Sequence, residues 1–362
     1  MKIAWISGRD VEKDLAATTE INLAKSLAFS GSEVTLFTPG SILAEGFKHE
    51  QIRKIGFPGL NSISGARNIS HRLFSRDGIV NDYDVLLVDW RYVRSLRVFL
   101  KRLELPWIII DRGPPAFKGL LNRLQKIYWS SGWEIASEFA AGGFVVSKKH
   151  SEFVRGINNV EIHLHEIPAG TIPNPFLGQN PKSANVLKLA YVGSLDERRG
   201  IQSILELSEK MIRSGVKHSI TLAGDGDMRD DIEVLAANNE FLEFPGKIGR
   251  NEVRRLLARC HIGIMPMPKI PIWRISSPLK LPEYLASGMA IIGPKHTGND
   301  LGLEGQWNRL GGSEDWVDLA ISDIGSILSN FSKIEESAIV QSKKFHWDSI
   351  ASEMMVCIEN ML

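Results

Sequence analysis

The chain has 362 residues, 43% hydrophobic and 23% charged, and its 43 Lys and Arg nearly cancel its 42 Asp and Glu to leave a net charge of +1. That length accommodates two domains of ordinary size, each able to bury its own core. A charge so close to zero excludes whole-chain attraction to nucleic acid, so a phosphate or membrane partner has to be met by a local basic patch. The two cysteines, Cys260 and Cys357, stand far apart in apolar surroundings and read as small buried hydrophobes in a reducing compartment.

The opening MKIAWISGRD carries four apolar residues after Lys2, too few for the core of a signal peptide, and reads as a first buried strand. No apolar run approaches the length needed to span a bilayer. The expectation is a cytoplasmic protein, with a peripheral place at the inner face of a membrane left open. From KIAWIS the chain passes into a helix over roughly Leu15 to Phe29 and then the strand EVTLFT. The same β-α-β rhythm resumes with DVLLVDW (84–90), the patterned RYVRSLRVFLKR, WIIID (107–111), a long helix from about Lys118 to Phe139, and GGFVVS (142–147). Continuous apolar strands of this kind belong to a parallel sheet covered on both faces.

The stretch IPNPFLGQNPKSAN (172–185), rich in Pro, Asn, Gly and Ser, is the linker candidate. Beyond it the rhythm restarts with VLKLAYVG, a helix from about Gly200 to Ser214, SITLAG, a helix after Asp227, LEFPGK, the helical NEVRRLLARC, the strand IGIMP, the helix-like SSPLKLPEYLASGM and the strand AIIG. The expected organisation is a lobe over 1–180, a second lobe over 181–342, and a closing amphipathic helix over 343–362. The cleft between two such lobes is the default ligand site.

Three constellations in the second lobe carry chemistry. In YVGSLDERRG a strand ends at Gly193, and Arg198 and Arg199 stand just before Gly200 at a helix start. Guanidinium groups beside free backbone N–H groups suit phosphate oxygens, and a solvated loop with two surface arginines is the bland alternative. In LAGDGDMRDD the third glycine of a dinucleotide fingerprint is missing, since Arg229 takes its place, so a nicotinamide site is disfavoured. Gly224 and Gly226 there allow a ligand or a loop to approach closely. In SSPLKLPEYLASG, Ser276 or Ser277 can cap a helix that Pro278 begins. The N–H of Leu279 and the charge of Lys280 then suit a diphosphate, while the carboxylate of Glu283 can accept from both hydroxyls of a vicinal diol such as ribose. A carboxylate near a helix start also answers the helix dipole, which leaves both meanings of Glu283 open.

YVGSLDERRGI, LAGDG, FPGKIGRNEV, LLARCHIGIMP, SSPLKLPEYLASGMAII and FHWDSIA, in that order, resemble the C-terminal lobe of a GT-B glycosyltransferase, most like the retaining family 4 type. KIAWIS, LAKSLAFSGSEVTLFTPG, GGFVVSKKHSEFV and IPNPF extend the resemblance over nearly the whole chain. It implies an α/β GT-B fold of two Rossmann-like lobes facing across a cleft, with the last helix crossing back to the first lobe. It implies transfer of a sugar from a nucleotide-diphosphate sugar to a hydroxyl acceptor, glycan or lipid-linked, with retention and without a metal or other cofactor. It assigns the ribose to Glu283, the diphosphate to Arg199 and the N–H of Leu279, and the edge of the base to the segment from Lys247 through Ile248 to Gly249. Gly193, Ser194, Gly224, Ser277 and Lys280 complete the expected donor site. The sequence departs from the family at three places. Ile275 stands where a second acid often contacts the sugar, Ser194 where an arginine often follows the strand glycine, and Asp111 and Arg112 of DRGPP where a histidine often marks the reaction centre. Asp111 and Arg112 join Arg199 as the catalytic candidates. The departures leave a second possibility, a catalytically impaired relative that binds nucleotide-sugars or regulates, and a GT-B epimerase stands behind both.

The acceptor is expected on the first lobe, where Gly8 opens the loop GRDVEKDLAATT; in the fold the resemblance implies, such a loop approaches both substrates, which adds Gly8 to the donor-binding candidates. In FKGLLNRLQKIYWSSGWEI the basic Lys118, Arg123 and Lys126 alternate with Leu120, Leu121, Leu124, Ile127, Trp129 and Trp133, and RYVRSLRVFLKR adds Arg91, Arg94, Arg97, Lys101 and Arg102. Basic amphipathic helices of this kind either pack on the sheet with solvated charges or lie on an anionic membrane surface. His163 and His165 share a strand face without a third ligand at useful spacing, so no metal site is expected.

Overall fold

The structure is a computed structural model. It describes all residues except 54–60, 76–77, 116–118, 159–160, 180–181 and 183–185, and the side chains at 15, 61–62, 119–122 and 157–158. The chain forms two compact units, Met1–Pro168 with Trp347–Leu362, and Ala169–His346.

Among the described residues, the first unit is built on seven strands, β1 (Lys2–Ile6), β2 (Glu33–Thr38), β3 (Lys48–Gln51), β4 (Val85–Asp89), β5 (Trp107–Ile110), β6 (Gly142–Val145) and β7 (Leu164–Glu166). They pair in the order β3-β2-β1-β4-β5-β6-β7, every pair parallel. β4 and β5 are buried at every position and β1 at all but its first, because both sheet faces are covered by helices. The terminal helix Trp347–Met361 packs on the helix Thr18–Phe29, and Ser26 Oγ donates to Asp348 Oδ1 at 2.6 Å. The closing segment is therefore not one continuous helix from Lys343. A short turn over Lys343–Phe345 and the extended His346 precede it, and the division between units falls there.

The second unit repeats the plan with β8 (Leu187–Val192), β9 (His218–Ala223), β10 (Leu242–Gly246), β11 (Ile262–Ile264), β12 (Ala290–Pro294) and β13 (Asn308–Gly311). Their order is β10-β9-β8-β11-β12-β13, again all parallel. Gly263 of β11 is required by packing, since a Cβ there would stand 2.2 Å from the ring of Tyr284, which lies wholly buried across that strand.

Two residues of the segment read as a linker are bonded into the second unit. The amide of Asn174 donates to Arg254 O and Ser287 Oγ, both at 2.9 Å. Lys182 Nζ donates to the carbonyls of Ser287 and Gly288 and pairs with Glu335 at 2.9 Å. Together they hold the C-terminal end of the helix Lys280–Ala286, where a cation answers the helix dipole. Among the described residues, no helix is long and apolar enough to cross a membrane and no three His, Cys, Asp or Glu side chains gather as a metal-binding set.

Candidate functional site

In the second sheet, chain order reverses between β8 and β11, and open α/β sheets bind ligands outside the carboxyl ends of their strands at such a reversal. β8 ends at Val192, and Gly193 follows with φ +144°, a conformation that a side chain rarely adopts. A Cβ on Gly193 would stand 2.6 Å from Lys280 Nζ, so the glycine lets the ammonium settle on the backbone at the strand end. The same ammonium lies 5.1 Å from the ring centroid of Tyr191, whose hydroxyl donates to Ser194 O at 2.8 Å and shapes the turn. Gly224, at the end of β9, comes close to the same turn, with Gly193 O 1.8 Å from where its Cβ would be.

Arg199 enters from the short turn Glu197–Arg199. Its guanidinium stands 4.8 Å from the ring centroid of Trp273, and its Nε lies 3.6 Å from Asp196 Oδ2. Ser194 donates through Oγ to the same Asp196 oxygen at 2.5 Å, so the hydroxyl orients a carboxylate that in turn faces Arg199. Two cations and one carboxylate thus gather at the end of β8. Burial, with Arg199 nearby, pushes the half-buried Lys280 ammonium down to about 8, while Glu283 acts in the opposite direction. Burial raises the Glu283 carboxyl, and Lys280, Arg254 and Arg250 oppose that rise.

The expected serine cap does not form. Ser276 Oγ donates to Trp273 O at 2.7 Å, and Ser277 Oγ accepts from the Ala169 N–H at 2.8 Å. The helix starts at Lys280, with Leu279 as N-cap residue and no side-chain cap, because both hydroxyls are engaged in the segments before it. Ile275 is buried, as its apolar side chain dictates. Lys247 is exposed just after β10, and Ile248 lines an open groove of about 650 Å³ with Phe244, Glu252, Arg255 and Leu256.

In the first unit, chain order reverses between β1 and β4. Gly8 lies beyond β1, and its N–H donates to Asp89 Oδ2 at 3.2 Å. Arg9 reaches Asp14 at 3.0 Å and the wholly buried Glu20 at 3.2 Å. Arg112 donates to Ile167 O and also faces Glu20, and burial pushes it down to about 10 in spite of that carboxylate. Asp111 requires a correction as a catalytic candidate. It is fully buried, with Oδ2 accepting from the indoles of Trp129 at 2.6 Å and Trp133 at 3.0 Å, Oδ1 accepting from Gly113 N–H, and His150 Nε2 at 3.4 Å. Burial alone raises a carboxyl, yet His150, Trp129 and Gly113 together hold Asp111 down to about 2, so it is an anionic strut inside the core.

Sequence reasoning missed Tyr191, Trp273, Arg254, Arg9 and Glu20. A tyrosine inside an apolar strand and a glutamate inside a helix carry no local mark of function. Arg9 was visible beside Gly8, and two charged residues at a strand end are the signal that was available.

A family model described as glycosyl transferases group 1 matches residues 187–329, which hold the turn 193–199, Trp273, Lys280 and Glu283. The second unit carries a group 1 glycosyltransferase domain. In fold, the whole chain is similar to sucrose-phosphate synthase from Thermosynechococcus elongatus, at 15% identity and a TM-score of 0.77 over 100% of this chain and 99% of that one. It is also similar to Anabaena HepE in complex with UDP and glucose, at 14% identity and a TM-score of 0.70 over 99% and 100%. A third likeness is the pneumococcal O-GlcNAc transferase GtfA in complex with UDP and GlcNAc, at 9% identity and a TM-score of 0.71 over 100% and 99%. At these identities the shared property is the GT-B fold, with its two Rossmann-like units. No curated protein sequence matches the chain.

Proposed function

We propose that this glycosyltransferase moves a sugar from a nucleotide-diphosphate sugar to a hydroxyl acceptor, glycan or lipid-linked, with retention. The observation that carries the reading is Lys280 at the end of β8, where Arg199 on one side and Glu283 on its own helix both act on its charge. The two cations receive the diphosphate, and Glu283 accepts from the ribose hydroxyls. Lys247 and Ile248, after β10, border the base. As the sugar leaves, negative charge grows on the diphosphate, and fixed cations already aimed at it lower the barrier without reorganisation. Arg199 and Lys280 supply that charge in this proposal, so transfer proceeds without a metal ion. The neighbours captured with UDP support a nucleotide-sugar donor. Arg112, with Arg9 and Glu20 at the end of β1, is the acceptor-side candidate. An assay of the full chain against UDP-, GDP- and ADP-sugars tests the reading. Release of the nucleoside diphosphate in the presence of EDTA is expected, and no turnover of any donor across a broad acceptor panel contradicts it.

The place of action proposed is the cytoplasm, against the inner face of a membrane. Leu124 and Ile127 are 57% and 60% exposed on the helix Gly119–Phe139, beside the exposed Arg123 and Lys126. Val98 and Phe99 are exposed on the helix Trp90–Leu100, and Arg94 of that helix stands 5.4 Å from the ring of Tyr128. Lys118 lies outside the described residues, as do the side chains of Leu120 and Leu121. Exposed apolar groups flanked by cations fit an anionic interface. Flotation with anionic liposomes at low salt should carry the protein upward, and the Leu124→Ser, Ile127→Ser double variant should remain at the bottom. Equal behaviour of the two contradicts the contact.

A further inference from the structure

The cation at the end of β8 that arrives on the longest side chain is Arg199, and a guanidinium on a flexible stem loses rotamer freedom when it is held. Asp196 is 3.6 Å from its Nε, outside hydrogen-bond range, and that buried Nε has no hydrogen-bond partner among the described residues. The aromatic face of Trp273, 4.8 Å from the guanidinium carbon, is the surface against which Arg199 rests. Trp273 is itself held on several sides. Its Nε1 donates to Arg198 O at 3.3 Å, and its carbonyl accepts from the N–H and Oγ of Ser276 at 3.2 and 2.7 Å. The loop after β12 closes on that carbonyl, since a Cβ on Gly298 would lie 1.7 Å from it.

We infer that Trp273 is a positioning residue, whose fixed ring holds the Arg199 guanidinium ready for a diphosphate at the end of β8. The inference rests on the nucleotide-diphosphate reading above and deepens it. The ring quadrupole attracts the cation and the flat stack restricts its torsions, so the arginine is ordered before the ligand arrives. Tyr191 also faces the guanidinium: burial and Asp196 push its hydroxyl up to about 12, and Arg199 opposes that rise. The short segment Pro271–Arg274 thereby gains a role that its lack of acids conceals.

Isothermal titration of the full chain with whichever of UDP, GDP and ADP binds the wild type tests this. Trp273→Ala should weaken binding about 3- to 30-fold, the range a cation–π contact covers, and Trp273→Phe should restore most of it. In the Arg199→Ala background, Trp273→Ala should weaken binding no further, because its effect passes through the missing arginine. An undiminished affinity in Trp273→Ala, or an equal loss with and without Arg199, overturns the inference. Should the alanine variant fail to fold, Trp273→Leu replaces it. Leucine should bind more weakly than phenylalanine at equal melting temperature, and equal binding overturns the inference. Failure of the wild type to bind any of the three diphosphates is a different result, which removes the functional reading itself.

Discussion

Lys280 is a charged residue whose environment is written in backbone. Its ammonium settles on Gly193 and the Tyr191 ring, and the groups facing it are Arg199 from the turn before the helix Ile201–Arg213 and Glu283 from its own helix. Burial lowers it to about 8, so in the free protein the positive charge is present below that pH and fades above it. Between about 8 and the unfolded value of 10.5 the unfolded chain binds more protons at this site, so its cost to stability is full below that window and diminishes as pH rises through it. For the ligand the sign is opposite. Affinity for a nucleoside diphosphate should fall as pH rises from 7 to 9, and Lys280→Arg, which keeps its charge, should flatten the decline. Titration calorimetry across that range checks this, and an identical slope in the two proteins removes Lys280 from the site. That Lys280 and Glu283 fall on one short helix was legible from SSPLKLPEY, but which ligand groups they would meet was not. The serine cap was not, because Ser276 and Ser277 are claimed by Trp273 and Ala169, partners that no local pattern reveals.

At the scale of elements, the strands that sequence patterning identifies are those buried on both faces, such as β1, β4 and β5. β3 (KHEQ) and β13 (NRLG) form at the sheet edges, where one neighbour and water meet the backbone, and without an apolar run they were not read as strands. The helices Asn61–Leu73, Trp316–Ser329 and Phe331–Ser342 were likewise not singled out. Asp111 illustrates the opposite error. An acid at a strand end with Arg, Gly and Pro after it looks like a reaction centre, and only the fold brings Trp129, Trp133 and His150 around it. Its replacement by alanine leaves two buried indole N–H groups without their acceptor, and each such unsatisfied donor costs about 1 to 3 kcal/mol. Urea denaturation of Asp111→Ala followed by tryptophan fluorescence should show that loss. In the wild type, the folded carboxyl at about 2 contributes stability above its ordinary value of 3.8, lost as pH falls between the two. A variant as stable as the wild type contradicts the strut.

At the scale of the whole molecule, one chain carries two parallel sheets whose order agrees over six strands, the first sheet adding β7 at its edge, and the residues of its last helix belong to the first unit. The alternation of apolar strands and helices carried that plan in the sequence, because buried parallel strands leave the strongest pattern a chain can show. The identity of the sugar and the acceptor leaves no such pattern, since it depends on side chains brought together from separate loops. Ile275 is the clearest case, an apolar residue whose burial is plain but whose consequence for the transferred sugar depends on its neighbours in space. The central claim is that the cluster of Arg199, Lys280 and Glu283 receives a nucleoside diphosphate. Titration calorimetry of the wild type and Glu283→Ala against UDP, GDP and ADP tests it most directly. The wild type should bind at least one of the three, and the variant should bind it more weakly by about 1 to 3 kcal/mol, the loss expected when a charged hydrogen-bond acceptor is removed. Binding of equal strength by both proteins, or of none of the three diphosphates by the wild type, would contradict it.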